Sequence, residues 1–185
     1  QQAQSQMAKP EAKPGTNTAT SPSNPTPATT PATPASNPSA AAPAVVARDV
    51  AIAANPRVKV DTPRLIGSIS LKGARIDDLS LVKFRETVDP SSPAIELFSP
   101  SGTATPYYAE FGWVPATGST VKLPDQNTVW QQEGSGALTP SHPVTLKYDN
   151  GEGLTFRRTI AVDDHYLFTL KDEVTNVGKA PVTLY

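Results

Sequence analysis

Histidine is the side chain that most readily exchanges protons near neutrality, and this chain has two, His142 and His165. His142 lies in "TPSHPV", between turn-forming prolines, and His165 follows an acidic pair in "VDDHY". A metal site needs several ligands converging, and neither histidine has a neighbouring histidine or cysteine. Cysteine is absent altogether, which removes disulfides, thiolate ligands and thiol nucleophiles. Both histidines read as surface turn residues. The acidic pairs Asp163-Asp164, Asp172-Glu173 and Asp77-Asp78 could cleave glycosides only if two carboxylates faced each other across a cleft. Turn chemistry accounts for all three pairs more simply, the first two at hairpin ends. No GxSxG, phosphate-binding loop or HExxH occurs. These residues imply no catalytic, cofactor or metal site, and no enzyme.

One aromatic concentration stands apart. "PYYAEFGWVP", residues 106–115, packs Tyr107, Tyr108, Phe111 and Trp113 around one carboxylate, Glu110. In an alternating strand Tyr107, Ala109, Phe111 and Trp113 share a face, while Tyr108 and Glu110 take the other. Rings that each bury on the order of 150–250 Å² form a core row before they form a sugar-stacking platform. The expectation is a sandwich strand with Tyr107, Phe111 and Trp113 inward. Glu110 then points away from the rings, which weakens a catalytic role for it.

The elements that would position these residues follow period two rather than 3.6. In "RLIGSISLKG", Leu65, Ile69 and Leu71 share a face. In "GLTFRRTIAV", Leu154, Phe156, Ile160 and Val162 do so, with Arg158 breaking the apolar row. "VTLKYDN" alternates Val144, Leu146 and Tyr148 against Thr145 and Lys147, and Asn150-Gly151 then supplies a hairpin turn. Further turns are expected at Asp163-Asp164 and between Asn176 and Gly178. In "GARIDDLSLVKF", Ile76 and Leu79 share a strand face only if a bulge at Asp77-Asp78 inserts one residue. The remaining glycines read as turn residues, and no segment keeps helical periodicity for three turns. The folded part is expected to be all-β, an antiparallel sandwich.

Composition divides the chain near Arg48. Residues 1–47 hold nine of the 20 prolines and no aromatic residue, and no charge occurs from Pro14 to Ala47. Such a segment cannot offset about 1–2 kcal/mol of backbone entropy per residue. It reads as a disordered Pro/Thr/Ala-rich linker ahead of a domain at 48–185. Sixteen basic against 17 acidic residues leave no basic stripe, which argues against nucleic acid as a partner. No run approaches the roughly 18 apolar residues of a spanning helix. With Gln1 at one end and the strand-like "APVTLY" at the other, both ends read as cut.

The blocks "TPRLIGSISLKGARIDDLSL", "FRETVDPSSPAIELFSPSGTATPYYAEFGW", "LTPSHPVTLKYDNGEGLTFRRTIAVDDHYLF" and "VTNVG" resemble the large periplasmic domain of the YidC family, in its alphaproteobacterial wording. The resemblance runs from about Asn55 to Tyr185. It implies a β-supersandwich similar to galactose mutarotases, here incomplete at its C-terminus. It also implies a membrane protein insertase and chaperone of the cell inner membrane, with this region in the periplasm. The implied partners are the Sec translocon and nascent inner-membrane proteins. Family insertion occurs in a groove among transmembrane helices, none of which this chain carries. No groove residue transfers, and the implied role of this piece is accessory docking and tethering.

Two other functions compete. A mutarotase-like sandwich could bind or act on carbohydrate, but that chemistry wants a carboxylate base with histidines near the sugar ring oxygen. His142 and His165 both fall at expected turns. A secreted adhesin module on a Pro/Thr stalk is opposed only by the resemblance.

Overall fold

The computed structural model describes residues 44–185. Two four-stranded antiparallel sheets dominate it, each a simple meander in sequence order. The first comprises β1 (Arg57–Asp61), β2 (Leu65–Ser70), β3 (Arg75–Arg85) and β4 (Ala94–Phe98). The second comprises β5 (Gln131–Glu133), β6 (Val144–Asp149), β7 (Leu154–Val162) and β8 (Phe168–Asn176). The all-β antiparallel expectation holds. A short helix, α1 (Arg48–Ala53), precedes β1. Its six residues are too few to leave a periodic signature, and none of them is buried.

The alternation that defines β7 appears directly in its burial: every odd position of the strand faces inward. Leu154, Phe156, Ile160 and Val162 join Leu146 and Val144 of β6 in the core. Val58, Val60, Leu65, Ile69, Ile76 and Leu79 enter the same core from the first sheet. Each fully buried aliphatic or aromatic side chain stabilises the fold by about 1.5–3 kcal/mol relative to exposure. Backbone bonds also tie the sheets together. The amide of Asp61 donates to the Leu138 carbonyl (2.9 Å), and that of Leu138 donates to the Lys59 carbonyl (2.8 Å).

The β2–β3 pairing carries the expected bulge. Ser68 pairs with Asp78 but Ile69 pairs with Ile76, so β3 has one extra residue, Asp77. That insertion restores phase, and Ile76 and Leu79 both reach the core. Gly67 lies opposite, inside β2 with φ +149°, where an added Cβ would sit 2.0 Å from the Asp78 carbonyl oxygen. This glycine serves a close strand approach rather than a turn.

The Asn150-Gly151 hairpin forms between β6 and β7, with Asn150 Oδ1 accepting from the amides of Glu152 and Leu154. Asp163 caps the β7–β8 turn by accepting from His165 and Leu167 amides. Two of the acidic pairs need correction. Asp77 and Asp78 are buried within β3, and Asp172-Glu173 sit in the middle of β8, not at a hairpin end. In each case an arginine on another element pairs with the aspartate, Arg57 with Asp77, Arg48 with Asp78 and Arg158 with the partly exposed Asp172.

The linker assigned to residues 1–47 falls mostly outside the described residues. Within its last four, the Val46 amide donates to the Gly102 carbonyl at 2.9 Å.

Candidate functional site

Residues 99–130 connect β4 to β5 without a regular element. Irregular connections beyond about 12–15 residues are uncommon in compact domains and are commonly functional. This one holds the aromatic stretch, and its structure departs from the strand expected there. Residues 106–115 make only single bridges, Tyr107 to Ser99, Ala109 to Ile76 and Pro115 to Leu184. Tyr107 is 68% exposed and Phe111 43%, so two of the three rings expected inside lie at the surface. Trp113 does pack on the core. The ladder fails at Phe111 because its carbonyl accepts from Arg158 Nη1 (3.0 Å) instead of a strand partner.

Arg158 is the centre of this arrangement. Its side chain is 0% exposed on the inner face of β7. Asp172, opposite it on β8, receives Nε and Nη2 at 2.7 Å each. Above the guanidinium lie the rings of Trp113, Phe111 and Trp130, with centroids 5.1, 5.5 and 5.7 Å away. Trp113 stacks on Trp130 and meets Phe156 edge-on. A buried charge is tolerated only when paired and hydrogen-bonded. Here the carboxylate, the carbonyl and three ring faces do that, and the arginine in return fixes the long connection to the sheet. In the sequence its only trace was a charge in phase with an apolar row.

A second polar cluster surrounds the β3 bulge. Arg57 donates to Asp77 and, through Nε, to Ser68 Oγ at 2.6 Å. Ser68 Oγ in turn donates to Asp78, which also pairs with Arg48 of α1. Arg48 reaches the Phe98 carbonyl as well (3.2 Å), so one side chain holds the helix against β3 and β4. Burial pushes the Asp77 carboxyl above its ordinary 3.8, with the Arg57 charge and hydrogen bond opposing the rise. Beside this cluster opens a cleft of about 300 Å³, whose wall includes Ser70, Lys72, Arg75, Asp77, Gln126 and Asn127. Sequence reasoning singled out neither Arg57 nor Lys72, since isolated basic residues carry no pattern.

The remaining candidates stay apart. Glu110 pairs with Arg75 at 2.6 Å, and the Arg75 guanidinium lies 5.0 Å from the Tyr108 ring centroid. His142 is an exposed turn residue with Nε2 3.3 Å from the Ser135 carbonyl. His165 sits exposed on the β7–β8 turn, beside Asp163 and Asp164. Among the described residues no group of three or more His, Asp or Glu side chains is placed to hold a metal. Nor is any helix among them long and apolar enough to cross a membrane.

Residues 57–185 match the family described as the YidC periplasmic domain. The chain belongs to that family. A YidC from Nitrobacter hamburgensis, named a membrane protein insertase, is 86% identical over 144 residues, covering 78% of this chain and 24% of the relative. The YidC insertase of Bradyrhizobium diazoefficiens is 78% identical over 141 residues, 76% of this chain and 23% of its own. That of Methylorubrum extorquens is 50% identical over 185 residues, the whole of this chain and 30% of the relative. These YidC relatives are alphaproteobacterial, as the wording of the sequence blocks implied. The chain spans about a quarter of the length of the YidC proteins it matches. No solved structure matches it. The aromatic cage and the bulge cluster are therefore features of a YidC periplasmic sandwich, and the relatives are named for insertion rather than for a bond-making reaction.

Proposed function

We propose that this chain is the accessory, periplasm-facing part of an insertase that inserts and folds inner-membrane proteins, with and without the Sec translocon. In this reading residues 1–47 act as a tether, and 48–185 form the N-terminal part of the sandwich. It docks partners and carries out no step of insertion. The observation that carries this reading is how the interior charges are used. Asp77 is matched by Arg57, Asp78 by Arg48 and Arg158 by Asp172. Each pair joins elements of the fold and none couples to a histidine, and the one hydroxyl on them, Ser68 Oγ at Asp78, is itself held by Arg57 Nε. Family membership supplies the context, since relatives carrying this domain are named membrane protein insertases. What remains available at the surface is contact area, with Tyr107, Phe111 and Phe84 among the exposed rings. Aromatic side chains of this kind anchor protein interfaces.

Photo-crosslinking tests the docking role. A photoreactive side chain at position 84 or 107 of the whole insertase should give adducts with translocon subunits or nascent membrane proteins during insertion. Crosslinks to lipid and water alone at both positions would contradict docking through this surface.

A further inference from the structure

We infer that the cleft beside the β3 bulge is a binding site for a hydroxyl-rich ligand of about one or two sugar rings. Its volume, about 300 Å³, is at the lower end of small-ligand pockets. Most such pockets are apolar with a few polar groups, and this one is the reverse. It is walled by a carboxylate, an ammonium, a guanidinium, two hydroxyls and three amides, with Ala51 and Pro100 beside them.

The chemistry of the wall selects the ligand. Asp77 is only 4% exposed, yet it lines the cleft. Its Oδ1 is bonded to Arg57, while Oδ2 has no hydrogen-bond partner among the described residues. That oxygen is not one of the enclosed unmatched atoms among the described residues, which are Arg48 Nε and Tyr166 Oη, so it is open to the cleft and can accept from a ligand donor. Lys72 also lines the cleft and has no ion pair among the described residues, which leaves three donors for a ligand oxygen. Arg75 is already neutralised by Glu110. Gln126 and Asn127 add groups that both donate and accept.

An anion entering this space meets the carboxylate of Asp77, and a cation meets the ammonium of Lys72. A molecule that donates to one wall and accepts from the other satisfies both, and a vicinal diol does this with adjacent oxygens. The site binds and does not react, because no aligned acid–base pair flanks it. This inference does not depend on the docking role.

The test is an amide-resolved NMR titration of the whole 185-residue chain with three probes: trehalose, inorganic phosphate and glycine. Trehalose should give saturable shifts confined to the amides of residues 70–77 and 126–127. Lys72→Gln should weaken that binding about tenfold, the loss expected for one hydrogen bond to a charged group. Asp77→Asn should weaken it similarly. Because Asp77 also pairs with Arg57, Asn127→Ala serves as a second variant on an exposed residue, and it too should lower affinity with the spectrum otherwise unchanged. Saturable binding of phosphate or glycine without trehalose would overturn the inference. So would scattered, non-saturating shifts with all three probes, or trehalose binding that Lys72→Gln and Asn127→Ala leave intact.

Discussion

Arg158 on β7 and Asp172 on β8 face each other across the strand pair, joined by two parallel hydrogen bonds of 2.7 Å. The arginine is fully enclosed while the aspartate is partly exposed. The pair and the Phe111 carbonyl together pin the connection of residues 99–130 to the second sheet.

Removing one partner of such a pair strands the other. Asp172→Ala, which leaves the enclosed Arg158 guanidinium without its carboxylate, should destabilise the chain by about 3–5 kcal/mol, read from the urea midpoint at unchanged slope. Replacing the pair together, Arg158→Met with Asp172→Leu, should recover most of that loss, because neither charge is left behind. A single-variant loss below about 1 kcal/mol would show that the carboxylate contributes little to holding the guanidinium.

Phe156 tests the core directly. Its ring is fully enclosed, 5.0 Å from the Trp113 centroid and 6.1 Å from that of Tyr148. Phe156→Ala should cost about 3–5 kcal/mol through lost transfer energy and the cavity left behind. Calorimetry of the variant checks it, and a cost under about 0.5 kcal/mol would place that face outside the core.

Strand alternation made β6, β7 and the first half of β3 legible, since a half-buried strand writes its burial into every second residue. The bulge was legible too, from the broken phase between Ile76 and Leu79. The aromatic stretch misled for a physical reason. Its alternation resembles a core strand, but the Phe111 carbonyl is claimed by the side chain of Arg158, 47 residues away in sequence. Asp77, Asp78 and Asp172 looked like turn carboxylates because their partners, Arg57, Arg48 and Arg158, lie on other elements. Pairings of that range leave no local pattern. The cleft was hidden for the same reason, being assembled from β2, β3 and the long connection.

Asp163 predicts a pH dependence. The amides of Leu167 and His165 hold its carboxyl below the ordinary 3.8, with the His165 and Arg64 charges adding to the effect. A depressed folded pKa gives stability that is present above 3.8 and is lost as pH falls through the lowered value. Asp163→Asn keeps an acceptor for both amides but removes the titration. The variant should therefore lose less stability than the parent chain below pH 3.8, measured by denaturant melts across that range. Identical acid limbs would contradict the assignment. Asp77 acts with the opposite sign, its raised carboxyl favouring the fold as it protonates and opposing it as pH rises through the folded value.

The most direct test of the central reading, that this region docks and performs no insertion step, is the insertion rate of a membrane-protein substrate into vesicles carrying the whole insertase. Glu110→Gln, His142→Ala and His165→Ala change the polar groups best suited to proton transfer at this surface, and each variant is compared at matched abundance. The account predicts rates within about twofold of the unmodified protein for all three. A loss of about tenfold or more in any one of them, with the domain still folded by circular dichroism, would contradict it and require a chemical role here.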